Sequence, residues 1–120
     1  MKRSLAILAV AYFLIALTDA GHAQNTLEKI DKSGALTIGT RNGSPPFAYI
    51  NKNNDWVGFS IDLVEHAILP ALNKKLNKQI KLEKKESAPA TRIPLLTSNA
   101  VDLIAETMTD TQSRRDQVDF

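Results

Sequence analysis

The sequence predicts an α/β fold in which a mostly parallel sheet carries helices on its flanks, and two observations support this. Short stretches that alternate apolar and polar residues, as strands do, take turns with stretches whose apolar residues recur at helical spacing. Strands that alternate with helices form βαβ units with parallel strands and right-handed crossovers. The composition is that of a globular protein, since 43% of the residues are hydrophobic and 23% are charged.

The first elements are predicted to be a helix, a strand and a hairpin. Residues 25–32 are helical in pattern, with Thr26 as a plausible N-cap and Gly34 as a plausible stop. Residues 36–40 alternate as a strand, and a rigid turn follows at residues 43–46, which include two prolines. Residues 47–50 and 56–59 form two short strands around the polar loop 51–55.

The later elements continue the alternation. Ser60 is the expected N-cap of a long amphipathic helix, which Pro70 should kink or divide. The remaining predictions are a strand at 79–84, a loop at 88–90, a helix at 92–97, a strand at 101–105, a helix at 110–116 and the start of a strand at 118–120.

Residues 1–23 have the layout of a secretory signal peptide. Lys2 and Arg3 precede an unbroken apolar run over residues 5–17, and Gly21 and Ala23 supply the small residues of a cleavage site. A membrane anchor is the alternative, but the run is shorter than the roughly 20 residues that span a bilayer. We therefore expect cleavage after Ala23, a folded portion over residues 24–120, a periplasmic location and no membrane insertion after cleavage.

Charge and composition narrow the possible functions. The formal net charge is only +2, which gives no electrostatic case for nucleic-acid binding. The absence of cysteine excludes disulfides and thiolate metal sites. No nucleophile–base pair, glycine-rich phosphate loop or carboxylate dyad is evident in the sequence, so we expect neither a cofactor nor a metal.

Six ordered blocks of sequence resemble the family 3 extracellular solute-binding proteins, the polar amino acid receptors of bacterial ABC importers. The blocks are residues 27–30, 34–41, 45–49, 57–63, 92–96 and 101–104, followed by Arg114, Arg115 and residues 117–120. The resemblance implies lobe I of a periplasmic-binding-protein-like (type II) fold, here incomplete because the second lobe would follow residue 120. It also implies a monomer that closes on one amino acid and delivers it to an importer permease.

The resemblance carries ligand-binding roles to particular residues. Arg92 matches the arginine that holds the ligand α-carboxylate, a task suited to the planar fork of a guanidinium. Thr107 and Thr109, at the carboxyl end of the strand at 101–105, match residues that contact the ligand's ammonium and carboxylate, although helix capping by Thr109 or Asp110 is an alternative. Together with the Arg-Ile-Pro-Leu-Leu block that begins at Arg92, the two threonines look most like the glutamate/aspartate-binding branch.

Two further residues are implied by the resemblance, and one departs from it. Arg41 matches an arginine that meets the side-chain carboxylate of acidic ligands; if it points outward instead, a neutral ligand is also compatible with the site. Phe59 is a candidate cleft wall. Glu106 stands where the family commonly has a small residue, and its charge would repel an acidic ligand or pair with an ammonium group.

The predicted function is reversible amino acid binding without chemistry on the ligand. Two alternatives remain open. One is a periplasmic enzyme of the same fold, similar to cyclohexadienyl or prephenate dehydratases, with Glu106 as its general acid. The other is a ligand-sensing receptor domain.

Overall fold

A computed structural model describes residues 26–120 of the chain. The predicted signal peptide and the first residue of the predicted helix at 25–32 lie outside this range. The elements are α1 (Thr26–Ser33), β1 (Ala35–Thr40), β2 (Tyr49–Ile50), β3 (Trp56–Val57), α2 (Phe59–Leu63), a π-helical turn (Val64–Ile68), α3 (Leu69–Leu76), β4 (Lys81–Glu86), α4 (Arg92–Thr97), β5 (Leu103–Ile104) and α5 (Gln112–Arg115).

Within residues 26–120, the main sheet has three strands in the order β4-β1-β5, and both pairings are parallel. Ile38 of β1 lies opposite Lys84 of β4 and Leu103 of β5. A central strand flanked on both sides by later strands requires crossovers, and α2, the π-helical turn and α3 supply the first of them. The predicted α/β architecture with a parallel sheet is confirmed.

The core lies where the helices pack on the sheet. Ile38, at the centre of β1, is fully buried, and Ile61 and Val64 of the crossover are 1% exposed. Ile30 of α1 joins the same cluster. Apolar residues at helical spacing on the crossover thus bury one face against the alternating residues of β1.

The crossover begins differently from the prediction. Its N-cap is Gly58, with no side-chain cap hydrogen bond, and Ser60 lies within the first turn of α2. Gly58 adopts a φ of 123°, which glycine tolerates and serine does not, so the chain turns there rather than at Ser60. Pro70 lies in the first turn of α3, directly after the π-helical turn. The backbone stays helical across both junctions, so Pro70 does not divide the helix into two separate ones.

The other elements agree with the predictions in kind and differ in extent. The hairpin of β2 and β3 is antiparallel, with Tyr49 opposite Val57, but each strand has two residues. The strand predicted at 101–105 pairs with β1 only at Leu103 and Ile104. The strand predicted at 118–120 is wrong for this structure, because the N–H of Val118 donates to Arg114 O in a turn after α5. Among residues 26–120, no helix is long and apolar enough to cross a bilayer.

Candidate functional site

The carboxyl ends of the three parallel strands meet at one edge of the sheet. Open α/β sheets bind their ligands at such an edge. Buried Thr40 ends β1 and ties the strand ends together, because its carbonyl accepts from the N–H of Ser87 at 2.8 Å and its hydroxyl donates to Ala105 O at 3.2 Å. Arg41 directly follows β1, while Glu106 and Thr107 follow β5 within three residues.

Arg92 is the buried cation of this edge. It is the first residue of α4, yet its side chain is only 7% exposed. Its Nη1 donates to Thr107 O at 2.9 Å, and its Nη2 lies 3.6 Å from Glu106 Oε2. The backbone N–H of Arg92 donates to Ala88 O, so it is not free to meet an anion. The side chain therefore folds over the end of β5.

Glu106 points inward rather than into a cleft. Its side chain is 1% exposed, and its Oε1 accepts a hydrogen bond of 2.5 Å from the hydroxyl of Ser87. Its Oε2 and the Nε of Arg92 are both buried without a hydrogen-bond partner. A carboxylate and a guanidinium are thus held side by side with part of their hydrogen-bonding capacity unused.

Sequence reasoning missed Ser87, which holds Glu106 in place. The available signal was its position directly after β4, which ends at the same sheet edge as β1. Nothing in the local pattern around residue 87 indicated which way its hydroxyl would point.

Thr107 and Thr109 are both exposed beyond the end of β5. Their carbonyls are engaged, since Thr107 O accepts from Arg92 and Thr109 O accepts from Arg114. Their hydroxyls make no hydrogen bond with the described residues. Capping does not explain them either, because the N-cap of α5 is Thr111.

Arg41 and Phe59 complete the set of predicted site residues. No hydrogen bond or ion pair joins Arg41 to the Arg92 cluster, which consists of Arg92, Glu106, Ser87 and Thr107. Arg41 is half-buried and makes no hydrogen bond or ion pair within residues 26–120. Phe59 is 63% exposed at the start of α2. The structure thus joins Arg92 to Thr107, and it leaves Arg41 and Phe59 as separate, accessible groups.

The two arginines near the strand ends differ in their ionic partners. Arg92 lies beside the carboxylate of Glu106, whereas Arg41 makes no ion pair within residues 26–120. Farther along, the Asp110 carboxylate pairs with Arg115 through Nε and Nη2, and this hydrogen bonding raises the pKa of Arg115. That outer pair is exposed and neutral.

A cavity of about 960 Å³ lies beside this edge rather than on it. It follows β5 and is lined by Leu103, Ile104, Glu106 and Phe120, among others. Arg92, Arg41 and Thr107 are not among its lining residues. We therefore place the candidate site at the strand ends, where Arg92 and Thr107 lie, and not in this cavity, which has only Glu106 in common with it.

Two relatives are similar in sequence to most of the chain. The glutamine-binding protein of Geobacillus stearothermophilus is 39% identical over 86% of this chain and 38% of its own length. The glutamate/aspartate import solute-binding protein of Escherichia coli strain K12 is 38% identical over 99% of this chain and 40% of its own length. The chain therefore spans about two fifths of the length of these relatives.

A solved structure supports the same relationship. The cysteine-binding protein from Campylobacter jejuni superposes with a TM-score of 0.68 at 31% identity, over 80% of this chain and 37% of that one. The sequence profile of the bacterial extracellular solute-binding proteins, family 3, matches residues 36–120. That match covers more than half of the chain, and it extends from β1 through the Arg92 cluster to the last residue. The chain belongs to the bacterial extracellular solute-binding proteins of family 3.

Proposed function

We propose that this chain is the ligand-binding front portion of a monomeric periplasmic receptor that binds a polar amino acid and delivers it to an ABC importer permease. Residues 1–23 direct export and are then removed. The ligand leaves chemically unchanged. The relatives named above bind glutamine, glutamate and aspartate, or cysteine according to their names, and this range supports an amino acid as the class of ligand.

The observation that carries this proposal is the buried guanidinium of Arg92 at the carboxyl edge of the parallel sheet. One of its donors is used by Thr107 O, while Nε is buried without a hydrogen-bond partner. A buried donor without a partner is unfavourable by roughly 1–3 kcal/mol. A ligand carboxylate that reaches the guanidinium relieves this cost, and Thr107 and Thr109, both exposed, follow the end of β5.

An acidic ligand is our more specific proposal. Arg41 is half-buried and has no ion pair within residues 26–120, whereas Arg92 already lies beside Glu106. The side-chain carboxylate of glutamate or aspartate would supply a partner for Arg41. The exposed ring of Phe59 is available to cover the aliphatic part of such a ligand.

The dehydratase alternative requires a general acid that reaches the substrate. Glu106 is the residue that sequence reasoning offered for this role, and its carboxylate is 1% exposed and bonded to Ser87. General acid catalysis needs hydrogen-bond contact with the reacting group. The orientation of Glu106 therefore supports binding without chemistry.

Calorimetric titration of the complete gene product with polar amino acids tests the proposal. Arg92→Lys is the informative variant, because it keeps a cation beside Glu106 but removes the planar fork. We expect it to weaken amino acid binding about 10- to 100-fold, the equivalent of one or two charge-assisted hydrogen bonds. Arg92→Ala is less useful, since it leaves Glu106 buried and unpaired and lowers stability as well.

Arg115→Lys is the matched control, because Arg115 is exposed and already paired with Asp110. It should leave affinity within about twofold of the wild type, as expected for a surface pair. Equal affinities of the Arg92→Lys and wild-type proteins would remove Arg92 from the site. No heat from any polar amino acid would refute the function itself.

A further inference from the structure

We propose that Glu106 determines the charge preference of the site: it is a buried carboxylate that shares Arg92 with the ligand and weakens the binding of anionic ligands. This inference rests on the proposed amino acid binding. It assigns Glu106 a role as a specificity-determining residue that acts through Arg92 and through its charge, without touching the ligand.

The geometry is that of an ion pair held slightly apart. Arg92 Nη2 and Glu106 Oε2 are 3.6 Å from each other, close enough for charge attraction but too far for a good hydrogen bond. Ser87 restrains the carboxylate from the other side through its 2.5 Å hydrogen bond to Oε1. Glu106 thus offsets the charge of Arg92 without occupying its donors, and Oε2 and Nε both remain without hydrogen bonds.

This arrangement has a direct consequence for the ligand. An α-carboxylate can still reach a guanidinium with free donors, but the attraction is reduced by a second carboxylate nearby. Because the side chain of Glu106 is 99% buried, water screens its charge poorly. The loss of affinity caused by Glu106 grows with the negative charge of the ligand, so it is larger for glutamate than for glutamine. For a cationic amino acid, Glu106 increases the affinity instead.

Ser87 supplies an independent test of the same idea. Removing its hydroxyl frees the carboxylate of Glu106 to close on Arg92 Nη2, where it competes with the ligand for the donors. Ser87→Ala should therefore lower the affinity for all amino acids about two- to fivefold and leave the preference between glutamate and glutamine unchanged. Glu106→Gln should instead raise the affinity for glutamate. A merely structural role for Glu106 predicts weaker binding in both variants.

The experiment is a calorimetric comparison of glutamate, glutamine and arginine binding to the complete gene product. Glutamate and glutamine have the same shape, so the ratio of their affinities isolates charge. Glu106→Gln should raise the glutamate-to-glutamine affinity ratio about tenfold, as expected for a unit charge several ångströms away in a partly desolvated site, and should weaken arginine binding. Glu65→Gln is the matched control, because Glu65 also pairs with a cation, Lys84, at 2.6 Å but lies on the crossover.

The outcomes separate this inference from the proposed function. A glutamate-to-glutamine ratio in Glu106→Gln within about twofold of that in Glu65→Gln overturns the inference while amino acid binding stands. A wild-type protein that binds none of the three ligands overturns the inference, and one that binds no polar amino acid at all overturns the proposed function as well. Where Glu106→Gln does not fold, Glu106→Ala removes the same charge and makes the same prediction. If neither variant folds, Glu106 is a structural residue and the inference is wrong.

Discussion

Gly58 stands at the junction of the hairpin and the crossover, with φ at 123° and ψ at 169°. A Cβ at this position would lie 2.5 Å from Phe47 O and 2.8 Å from Pro46 O. Pro46 O accepts a hydrogen bond from the N–H of Phe59 at 3.0 Å, and Phe47 O accepts one from the N–H of Ser60 at 2.9 Å. These two bonds hold the first turn of α2 against the preceding loop. The clash is with backbone, which cannot rotate away as a side chain would.

The magnitude of the Gly58→Ala effect follows from these contacts. Placing a non-glycine residue in this backbone region costs about 1–3 kcal/mol. Displacing the two carbonyls weakens two hydrogen bonds, each with a net contribution of roughly 0.5–1.5 kcal/mol. We therefore expect Gly58→Ala to lower the free energy of unfolding by about 4 kcal/mol, a large part of the stability of an ordinary domain.

Guanidinium unfolding followed by far-ultraviolet circular dichroism measures this change, with Gly34→Ala as the control. Gly34 also has a positive φ, of 70°, but a Cβ there would meet nothing within 4 Å. The control should therefore lose only about 1 kcal/mol, the cost of a left-handed conformation alone. If the two variants lose equal stability, the clash at Gly58 is not the cause and the reasoning fails.

Two more predictions concern the packing of the sheet. Asp102 is nearly buried and accepts hydrogen bonds from the Thr37 N–H at 2.8 Å and from Lys29 Nζ at 2.6 Å. Asp102→Ala should therefore lower the free energy of unfolding by about 3 kcal/mol in the same assay. Asp102→Asn keeps an acceptor and should lower it by about half as much. An alanine variant within 1 kcal/mol of the wild type would show that this buried pair contributes little. Ile38 is fully buried at the centre of β1, so Ile38→Ala should cost about 2–5 kcal/mol and Ile38→Val about 0.5–1.5; similar losses in both would mean that the site collapses around the cavity.

The sequence was sufficient to predict the kind and the order of most elements. Alternation of residues located β1, and the chemistry of Arg92 and Thr107 made them candidates because each follows a predicted strand. Carboxyl ends of parallel strands share an edge, so their proximity followed from topology. Element lengths were less well predicted, because the apolar pattern reports which residues are buried and not which residues pair with a neighbouring strand. Val101 and Ala105 are buried beside β5, yet only Leu103 and Ile104 pair with β1.

The N-cap preference of individual residues also gave a wrong prediction, at the start of the crossover, where the backbone adopts a rarer conformation. Serine is a favoured N-cap, so Ser60 was the natural choice for the start of the crossover. The chain instead turns at Gly58, because only glycine adopts the backbone angles that bring the first turn of α2 onto the carbonyls of Pro46 and Phe47. The hydrogen bonds of the tertiary structure, which a propensity scale does not contain, decided the position of the cap.

The orientation of Glu106 depends on contacts across three strands, and this is why the sequence could not predict it. Ser87 follows β4 and Glu106 follows β5, and β1 lies between those strands. A Cβ on Gly39 of β1 would lie 2.7 Å from Ile104 Cδ1 and 3.6 Å from Ser87 Oγ, so the space above this glycine is filled by the two neighbouring strands. A side chain at residue 39 would therefore meet Ile104 of β5 first and would lie in ordinary contact with Ser87. The hydrogen bond between Ser87 and Glu106 thus depends on the register of two parallel pairings, and no pattern within a single strand contains that register.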